Sequence, residues 1–436
     1  MASIVHVPFC YFPDAAGGTE VHVRELAREQ ATRGDSVLIL APADQARSYV
    51  HEGIPVERFT VSNQIDDLRD LYGSARTNVG EFMAVLERLR PDVLHVHGIG
   101  RAIAPEALRR ARQMQIRVVL TYHTPTATCV RGTLLLHGAH PCDGVLDAPR
   151  CTACTLTGHG VPALLAQVAA RAPALVGNAL RRTRMRGRLI TGLRTRELVS
   201  LRHAQTRELL AAADHIIAPA EWVVRLLHRL GVPTSRITLV RQGIARTATS
   251  PAKPTRADNI RLVYLGRFEP AKGIHLLVRA LRAVPDAGFE LHIYGVTQGD
   301  AHVQYRRDLR HEIGRDTRVV LHDAIAPETV VSTIAQYDVL AAPSQQLETG
   351  PLVVLEGFAA GLPVVGSRLG GIAELIRDGE NGLLVEPASV AEWALTLGRL
   401  LHEPQLLPRL RSGVRPPRTM SAVAEDVAQI YRRIAA

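Results

Sequence analysis

Residues 341–387 read AAPSQQLETGPLVVLEGFAAGLPVVGSRLGGIAELIRDGENGLLVEP. The stretch opens on an apolar run closed by Pro343-Ser344 and carries acids at Glu348 and Glu356. It then passes through Gly361-Leu-Pro-Val-Val, Gly370-Gly-Ile-Ala-Glu374 and Gly379-Glu-Asn-Gly382. Eight residues apart, the two acids are not an i,i+4 pair on one helix face. Gly350 and Pro351 fall between them, which predicts Glu348 on a loop and Glu356 in the first turns of a new helix. A loop acid and a helix start can hold two ends of one ligand. Backbone N–H groups at a helix N-terminus take an anion such as a phosphate, and carboxylates accept hydroxyl hydrogens from a sugar.

Short apolar runs alternate with amphipathic helical segments along the whole chain, which predicts parallel sheets flanked by helices. In the first half the expected strands are 4–8, 36–41, 56–59, 93–97 and 117–122, with a helix over 19–33 stopped by Gly34. In the second half they are 260–266, 289–294, 319–321, 338–342, 364–366 and 383–386. Residues 245–259, rich in Pro, Thr, Ala and charge, read as a linker. The expected division is a first α/β domain over 1–244, the linker 245–259, a second α/β domain over 260–415 and a last helix within 416–436. The first domain would hold a Cys-containing insert at about 124–160 and an Arg-rich segment at 171–207. Two such domains leave a cleft, the expected ligand position.

Nearly all of 341–387 resembles the donor site of the retaining, nucleotide-sugar-dependent glycosyltransferases of family 4. That resemblance implies the GT-B fold, α/β with two Rossmann-like domains whose parallel sheets face across a cleft, and a last helix that crosses back to the first domain. It implies a nucleotide-sugar donor. Glu356 would accept both ribose hydroxyls, and Glu348 would contact hydroxyls of the transferred sugar. Main-chain groups of Gly350, Pro351 and Leu352 would line the donor between them. The family more often has an aromatic near position 351, so Pro351 leaves the hexose preference open. Arg267 and Lys272, in Gly266-Arg-Phe-Glu-Pro-Ala-Lys272-Gly273, match the family's diphosphate clamp. They follow the first strand of the second domain, where ligands bind beyond the carboxyl ends of a parallel sheet. Two fixed cations there can neutralise a leaving diphosphate, so no cofactor is expected for catalysis. Gly17 and Gly18 form a glycine turn before the first helix, where the family contacts donor diphosphate or acceptor. His123 ends the strand Arg117-Val-Val-Leu-Thr-Tyr122, where the family places a histidine facing the transferred sugar.

Lysine is nearly absent: Lys253 and Lys272 are two of 52 basic residues, in a chain of net charge +10. Arginine replaces lysine on most solvated surfaces but cannot imitate a compact ammonium at a phosphate, so Lys272 carries unusual weight. Lys253 sits in Pro251-Ala-Lys-Pro254 and reads as linker. Between Arg171 and Arg207 there are ten arginines and one acid, Glu197. A solvated helix face accounts for most of this, and an anionic membrane surface or lipid-diphosphate acceptor is the functional alternative. No nucleic-acid motif accompanies the charge. The N-terminal Ser3-Ile-Val-His-Val-Pro-Phe9 lacks the charged and apolar regions of a signal peptide, and the longest apolar stretch, 161–180, is interrupted by Pro162, Gln167, Arg171 and Pro173. A cytoplasmic protein, peripheral to the inner face of a membrane if its acceptor is lipid-linked, is expected.

Four of the five cysteines, Cys129, Cys142, Cys151 and Cys154, fall within twenty-six residues and end in a C-x2-C pair. In a reducing compartment that spacing suits a structural zinc, an iron–sulfur cluster or four buried thiols rather than two disulfides. His95 and His97 stand two apart at a strand end, and with no third ligand apparent they read as packing or rim residues. A nicotinamide-dependent oxidoreductase fails on Gly98-Ile-Gly100-Arg-Ala-Ile103, where Ile103 takes the place of the third glycine of the dinucleotide fingerprint. A nucleotide-sugar-binding regulator without catalysis is the other alternative. Arg267, Lys272, Glu348 and Glu356 together argue for an enzyme whose acceptor the sequence does not name.

Overall fold

The computed structural model describes residues 1–435 except 15–16, 63–66, 73–78, 99–102, 183–186, 246–258 and 285–287. Most of the expected linker, with Lys253, lies outside the described residues, as do Arg184, Arg186 and Gly100. The chain forms two units, Met1–Arg241 with Ala424–Ala436, and Gln242–Val423. Both boundaries differ from the expected 244/245 and 415/416. The reason is a local clasp. Ile244 N–H donates to the Arg418 carbonyl at 3.0 Å, Met420 N–H donates back to the Ile244 carbonyl at 3.0 Å, and Ile244 and Thr419 form a parallel bridge. Residues 242–244 and 416–423 therefore hold each other within the second unit. The last helix, Met420–Ala435, begins there and ends in the first.

The first unit is built on eight strands: β1 (Ser3–Val7), β2 (Ser36–Ala43), β3 (Arg47–His51), β4 (Ile54–Thr60), β5 (Val93–Val96), β6 (Arg117–Thr121), β9 (His215–Ala218) and β10 (Ile237–Leu239). Their order is β10-β9-β6-β5-β1-β2-β4-β3, parallel except for β3 against β4. The five expected strands are present. β3, β9 and β10 were not anticipated, since four-residue runs such as His215-Ile-Ile-Ala218 gain their status from pairing partners rather than from a local pattern. A separate hairpin, β7 (Leu135–Leu136) with β8 (His140–Pro141), lies in the cysteine insert. The inner strands β5 and β9 are buried along their whole length, as expected where helices cover both faces of a parallel sheet.

The second unit has β11 (Ile260–Arg267), β12 (Phe289–Val296), β13 (Val319–His322), β14 (Val339–Ala342), β15 (Val364–Ser367) and β16 (Gly382–Val385), the six strands expected. All pairs are parallel, in the order β13-β12-β11-β14-β15-β16. This is the doubly wound 3-2-1-4-5-6 arrangement, whose strand order reverses between β11 and β14 and opens a crevice at their carboxyl ends. Alternate residues of β11 feed two cores. Leu262 and Tyr264 pack with Phe268 and Trp393, and Val263 packs with Leu340, Val354 and Val364.

Candidate functional site

The crevice beyond β11 and β14 is made by two loops that touch. After β11 the chain runs Phe268-Glu269-Pro270-Ala271-Lys272-Gly273, and after β14 it runs Pro343 to Pro351. Gln345 N–H donates to the Ala271 carbonyl at 2.7 Å, which ties one loop to the other. Gly273 has φ +73°, and a Cβ there would stand 2.0 Å from the Pro343 carbonyl oxygen. Only glycine allows both that backbone conformation and that approach.

This contact places Lys272 Nζ 2.5 Å from Glu348 Oε1, which also accepts from Ser344 Oγ at 2.7 Å. The pair is mostly buried, with side chains 19% and 18% exposed. Burial opposes ionisation of Glu348, but the Lys272 ammonium and the bonds from Lys272, Ser344 and Gln346 outweigh it and hold the carboxyl below its ordinary value. Glu348 is also fixed through its backbone, because Gly371 N–H donates to its carbonyl at 2.7 Å. Arg267, at the end of β11, turns instead to Glu269, with Nη2 2.8 Å from Oε1 and the guanidinium 44% exposed. Lys272 is thus part of the crevice wall, and Arg267 stands in the open beside it. Ser344 and Glu269 were not singled out in the sequence. Their sole signal was proximity to Glu348 and Arg267.

Pro351 caps the helix Leu352–Ala359 without a side-chain cap, and Val354 N–H bonds the Pro351 carbonyl at 3.0 Å, so Leu352 and Val353 are the first-turn N–H groups that an anion could meet. Gly350 is pressed against Gln242, whose side chain a Cβ would meet at 2.6 Å. Glu356 lies one turn into the helix as expected, half-buried, and burial alone pushes its carboxyl up to about 7. The two acids therefore differ in kind. Glu348 is an ionised, oriented acceptor, and Glu356 sits at the edge of ionisation near neutrality.

In the first unit, His123 follows β6 and is buried. It does not stand alone. Its Nε2 lies 3.0 Å from His97 Nδ1, His97 Nε2 lies 2.9 Å from His6 Nδ1, and His6 Nε2 lies 2.6 Å from Gln30 Oε1. The His22 ring adds an edge contact to His123, centroids 5.0 Å apart, and its buried Nδ1 has no hydrogen-bond partner among the described residues. The absence of a third ligand beside His95 and His97 is corrected here. The nitrogens of His6, His95 and His97, and of His22, His97 and His123, lie within 4.8 Å of one another. Sheet order does this, since β1, β5 and β6 are neighbours whose carboxyl ends each carry a histidine. The hydrogen bonds assign the protons. Gln30 Oε1 can only accept, so His6 Nε2 donates to it and His6 Nδ1 accepts from His97 Nε2. His97 Nδ1 then accepts from His123 Nε2. One amide fixes three tautomers. Tyr431 joins the same buried network through His95 Nδ1 at 2.6 Å, and His95 Nε2 bonds Thr121 Oγ1 at 2.7 Å. Burial lowers all five imidazoles, His6 and His22 to about 4 and His95, His97 and His123 well below their ordinary value.

Gly17 precedes the helix Gly18–Thr32, but its N–H donates to Glu20 Oε2 at 3.0 Å. The turn expected to reach an outside anion is here met by the chain's own carboxylate. In the cysteine insert, Cys151 and Cys154 ride the helix Ala148–Gly158, while Cys129 and Cys142 lie on loops. Burial, then Cys129 and Cys142, push the Cys151 thiol up to about 12, with Cys154 acting in the same sense. Cys142 Sγ accepts from Gly144 N–H at 3.5 Å, and Cys154 Sγ accepts from His137 N–H at 3.2 Å. Among the described residues the sulfurs are neighbours but form no group of three within 4.8 Å of one another. The arginine segment is only partly a solvated face. Arg194 pairs with Asp67 at 2.6 Å, Arg196 donates to the Ala170 carbonyl at 2.5 Å, and Arg202 donates to the Thr126 carbonyl at 2.6 Å.

Residues 16–247 match the family described as Glycosyltransferase Family 4, and residues 259–403 match Glycosyl transferases group 1. D-inositol 3-phosphate glycosyltransferase of Corynebacterium efficiens is 30% identical over 245 residues, 52% of this chain and 58% of that protein. The chain thus spans little more than half the length of this curated relative. Sucrose-phosphate synthase of Thermosynechococcus elongatus superposes with a TM-score of 0.69 at 20% identity, covering 100% of this chain and 99% of its own. HepE of Anabaena, solved with UDP and glucose, gives 0.62 at 17% identity over 99% and 100%. These structural neighbours have the GT-B fold, with two Rossmann-like domains. The first of the two matched families takes in more than half of the residues, and the chain belongs to glycosyltransferase family 4.

Proposed function

We propose that this protein is a retaining glycosyltransferase that takes its sugar from a nucleoside-diphosphate sugar held by the second unit. The observation that carries the reading is the Lys272–Glu348 pair at the point where the strand order reverses, with Glu356 on the helix just beyond. Lys272, with Arg267 beside it, offers positive charge to the diphosphate, and the open helix start at Leu352 offers N–H groups. Glu356 accepts from the ribose hydroxyls. Glu348, held by Lys272 and Ser344, accepts from a hydroxyl of the transferred sugar. As the bond from the anomeric carbon to the diphosphate oxygen breaks, its electron pair goes to the diphosphate, where the cations stabilise it. The acceptor hydroxyl adds to the oxocarbenium-like carbon on the same face, and its proton passes to the departing phosphate oxygen. Fixed cations supply the charge compensation, so transfer is expected to continue with chelator present. HepE was solved with UDP and glucose, which supports a nucleoside diphosphate as the leaving group.

The two glutamates give the test. A carboxyl poised at about 7 must ionise to accept ribose hydroxyls, so nucleoside diphosphate binding near neutral pH should release a proton. Calorimetry of UDP, GDP, ADP and dTDP in buffers of different ionisation enthalpy reads this directly. Glu356→Gln should weaken the preferred diphosphate and abolish the proton release. Glu348→Gln should leave both nearly intact while slowing transfer. Equal losses of affinity in the two variants would remove this division of roles.

For the insert, the reading is a structural zinc on Cys129, Cys142, Cys151 and Cys154. The N–H donors on Cys142 and Cys154 suit thiolates, and a metal would draw the four sulfurs together. Elemental analysis of protein purified without chelator should find about one equivalent per chain. Less than about a tenth of an equivalent, with all four thiols titrating freely in the folded protein, would refute it.

A further inference from the structure

Two short helices of the first unit are packed inside out. In Ala163–Arg171 the residues turned to the protein are Ala166 and Ala170, both buried, while Leu164, Leu165 and Val168 are 79%, 62% and 66% exposed. An amphipathic helix of a soluble domain does the reverse, burying its large aliphatic side chains. In Ala174–Arg182 the inward residue is Gly177, so close to the helix Arg188–Ala212 that a Cβ would meet Glu197 Cβ at 2.8 Å. Leu175 is 77% exposed beside it, and Leu189, in the first turn of the longer helix, is 76% exposed. Small residues make the close packing, which leaves the large aliphatic ones on the outside. Contiguous exposure of this kind marks an interaction surface rather than chance.

Charge decides the partner. No Asp or Glu occurs between Asp147 and Glu197, while arginines stand at 171, 181, 182, 184, 186 and 188. Arg171 and Arg181 are exposed near the C-terminal ends of the two helices that carry these leucines. Arg194 and Arg196 are used inside the unit and do not count. We propose that this apolar, arginine-edged face lies on a bilayer bearing anionic headgroups. The leucines enter the interface between headgroups and acyl chains, and the arginines bind phosphates. A second copy of the chain fits poorly, because a two-fold pairing of this face would oppose arginine to arginine. Spanning is also disfavoured. Each helix has nine residues, roughly 13 Å, against about 30 Å of hydrocarbon, and they meet at 89°. The inference concerns where the protein sits and is independent of the donor chemistry.

The test is sedimentation of the whole protein with vesicles of phosphatidylcholine, alone or with about a third phosphatidylglycerol. Binding is expected to be at least about tenfold tighter to the anionic vesicles at low salt and to weaken as salt rises. The variant Leu164→Ser, Leu165→Ser, Val168→Ser should lose about tenfold or more at both salt concentrations. The variant Arg171→Glu, Arg181→Glu should lose most at low salt and show a flatter salt dependence. These side chains are exposed, so both variants should keep the wild-type circular dichroism spectrum and thermal unfolding midpoint, which report that the first unit is folded, and should keep nucleoside diphosphate binding by the second unit. Wild-type protein that sediments with neither vesicle, or a serine variant that binds as wild type does, would overturn the proposal. So would light scattering in which the serine variant falls from dimer to monomer with vesicle binding unchanged, or protein that resists alkaline extraction as a spanning segment would.

Discussion

Replacing Lys272 with alanine is expected to lower turnover by about a hundredfold or more, the scale for deleting one electrostatic contact to developing charge. The ammonium is rigidly placed by Glu348, and the sequence offers no nearby lysine to replace it. Lys272→Arg keeps the charge but cannot seat a planar guanidinium where Nζ approaches Glu348 at 2.5 Å, so it should also lose rate. The alanine variant leaves Glu348 without its counter-charge in a mostly buried position, which costs stability as well as activity. The double variant Lys272→Ala, Glu348→Gln separates the two effects. It should regain thermal stability relative to Lys272→Ala while remaining as slow. Near-wild-type turnover in Lys272→Ala would dismiss the clamp, and recovery of rate in the double variant would assign Lys272 a structural role only.

Acid is expected to unfold the first unit well before ordinary carboxylate titration. His6 and His22 are held at about 4 by burial, against 6.5 in the unfolded chain. Between those values the unfolded chain binds protons that the folded chain refuses, so stability rises with pH through this window. Above 6.5 the two imidazoles contribute nothing to the pH dependence. As pH falls from 6.5 to 4, each removes on the order of 3 kcal/mol, and His95, His97 and His123 act in the same direction. Two such groups already rival a domain's whole stability, commonly about 5–15 kcal/mol. Denaturant unfolding from pH 8 to 4.5 should therefore show a midpoint that is level above 7 and drops steeply below 6.5. His22→Gln removes one titrating ring whose Nδ1 has no hydrogen-bond partner among the described residues, and should reduce the slope. A midpoint unchanged between pH 7 and 5 would show that the cluster is already protonated or open to water in the folded state.

The second unit was legible strand by strand because its signals are local. Each strand is a short apolar or alternating run, and all but β13 have a glycine or proline at or beside one end. Lys272 stands out by the rarity of its residue type, and Glu348 and Glu356 are placed by Gly350-Pro351 between them. Such patterns survive in any chain that folds this way, since they depend on neighbours within one or two helical turns. The first unit was less legible where strands are short. β9 and β10 exist by pairing, and pairing is not written in four residues.

What only tertiary structure decided is which distant residues meet. Lys272 and Glu348 are 76 residues apart, His6 and His97 are 91 apart, and each pair is joined because sheet order sets their strand ends side by side. The same holds for the arginines, whose sequence density suggested one charged face until internal partners claimed Arg194, Arg196 and Arg202. It holds too for Leu164 and Leu165, which periodicity would bury and which close packing through Ala166 and Ala170 turns outward. Sequence determined the elements and the residue chemistry available at their ends. The order in which strands lie beside one another, a global compromise among all their contacts, decided which of those ends share a site.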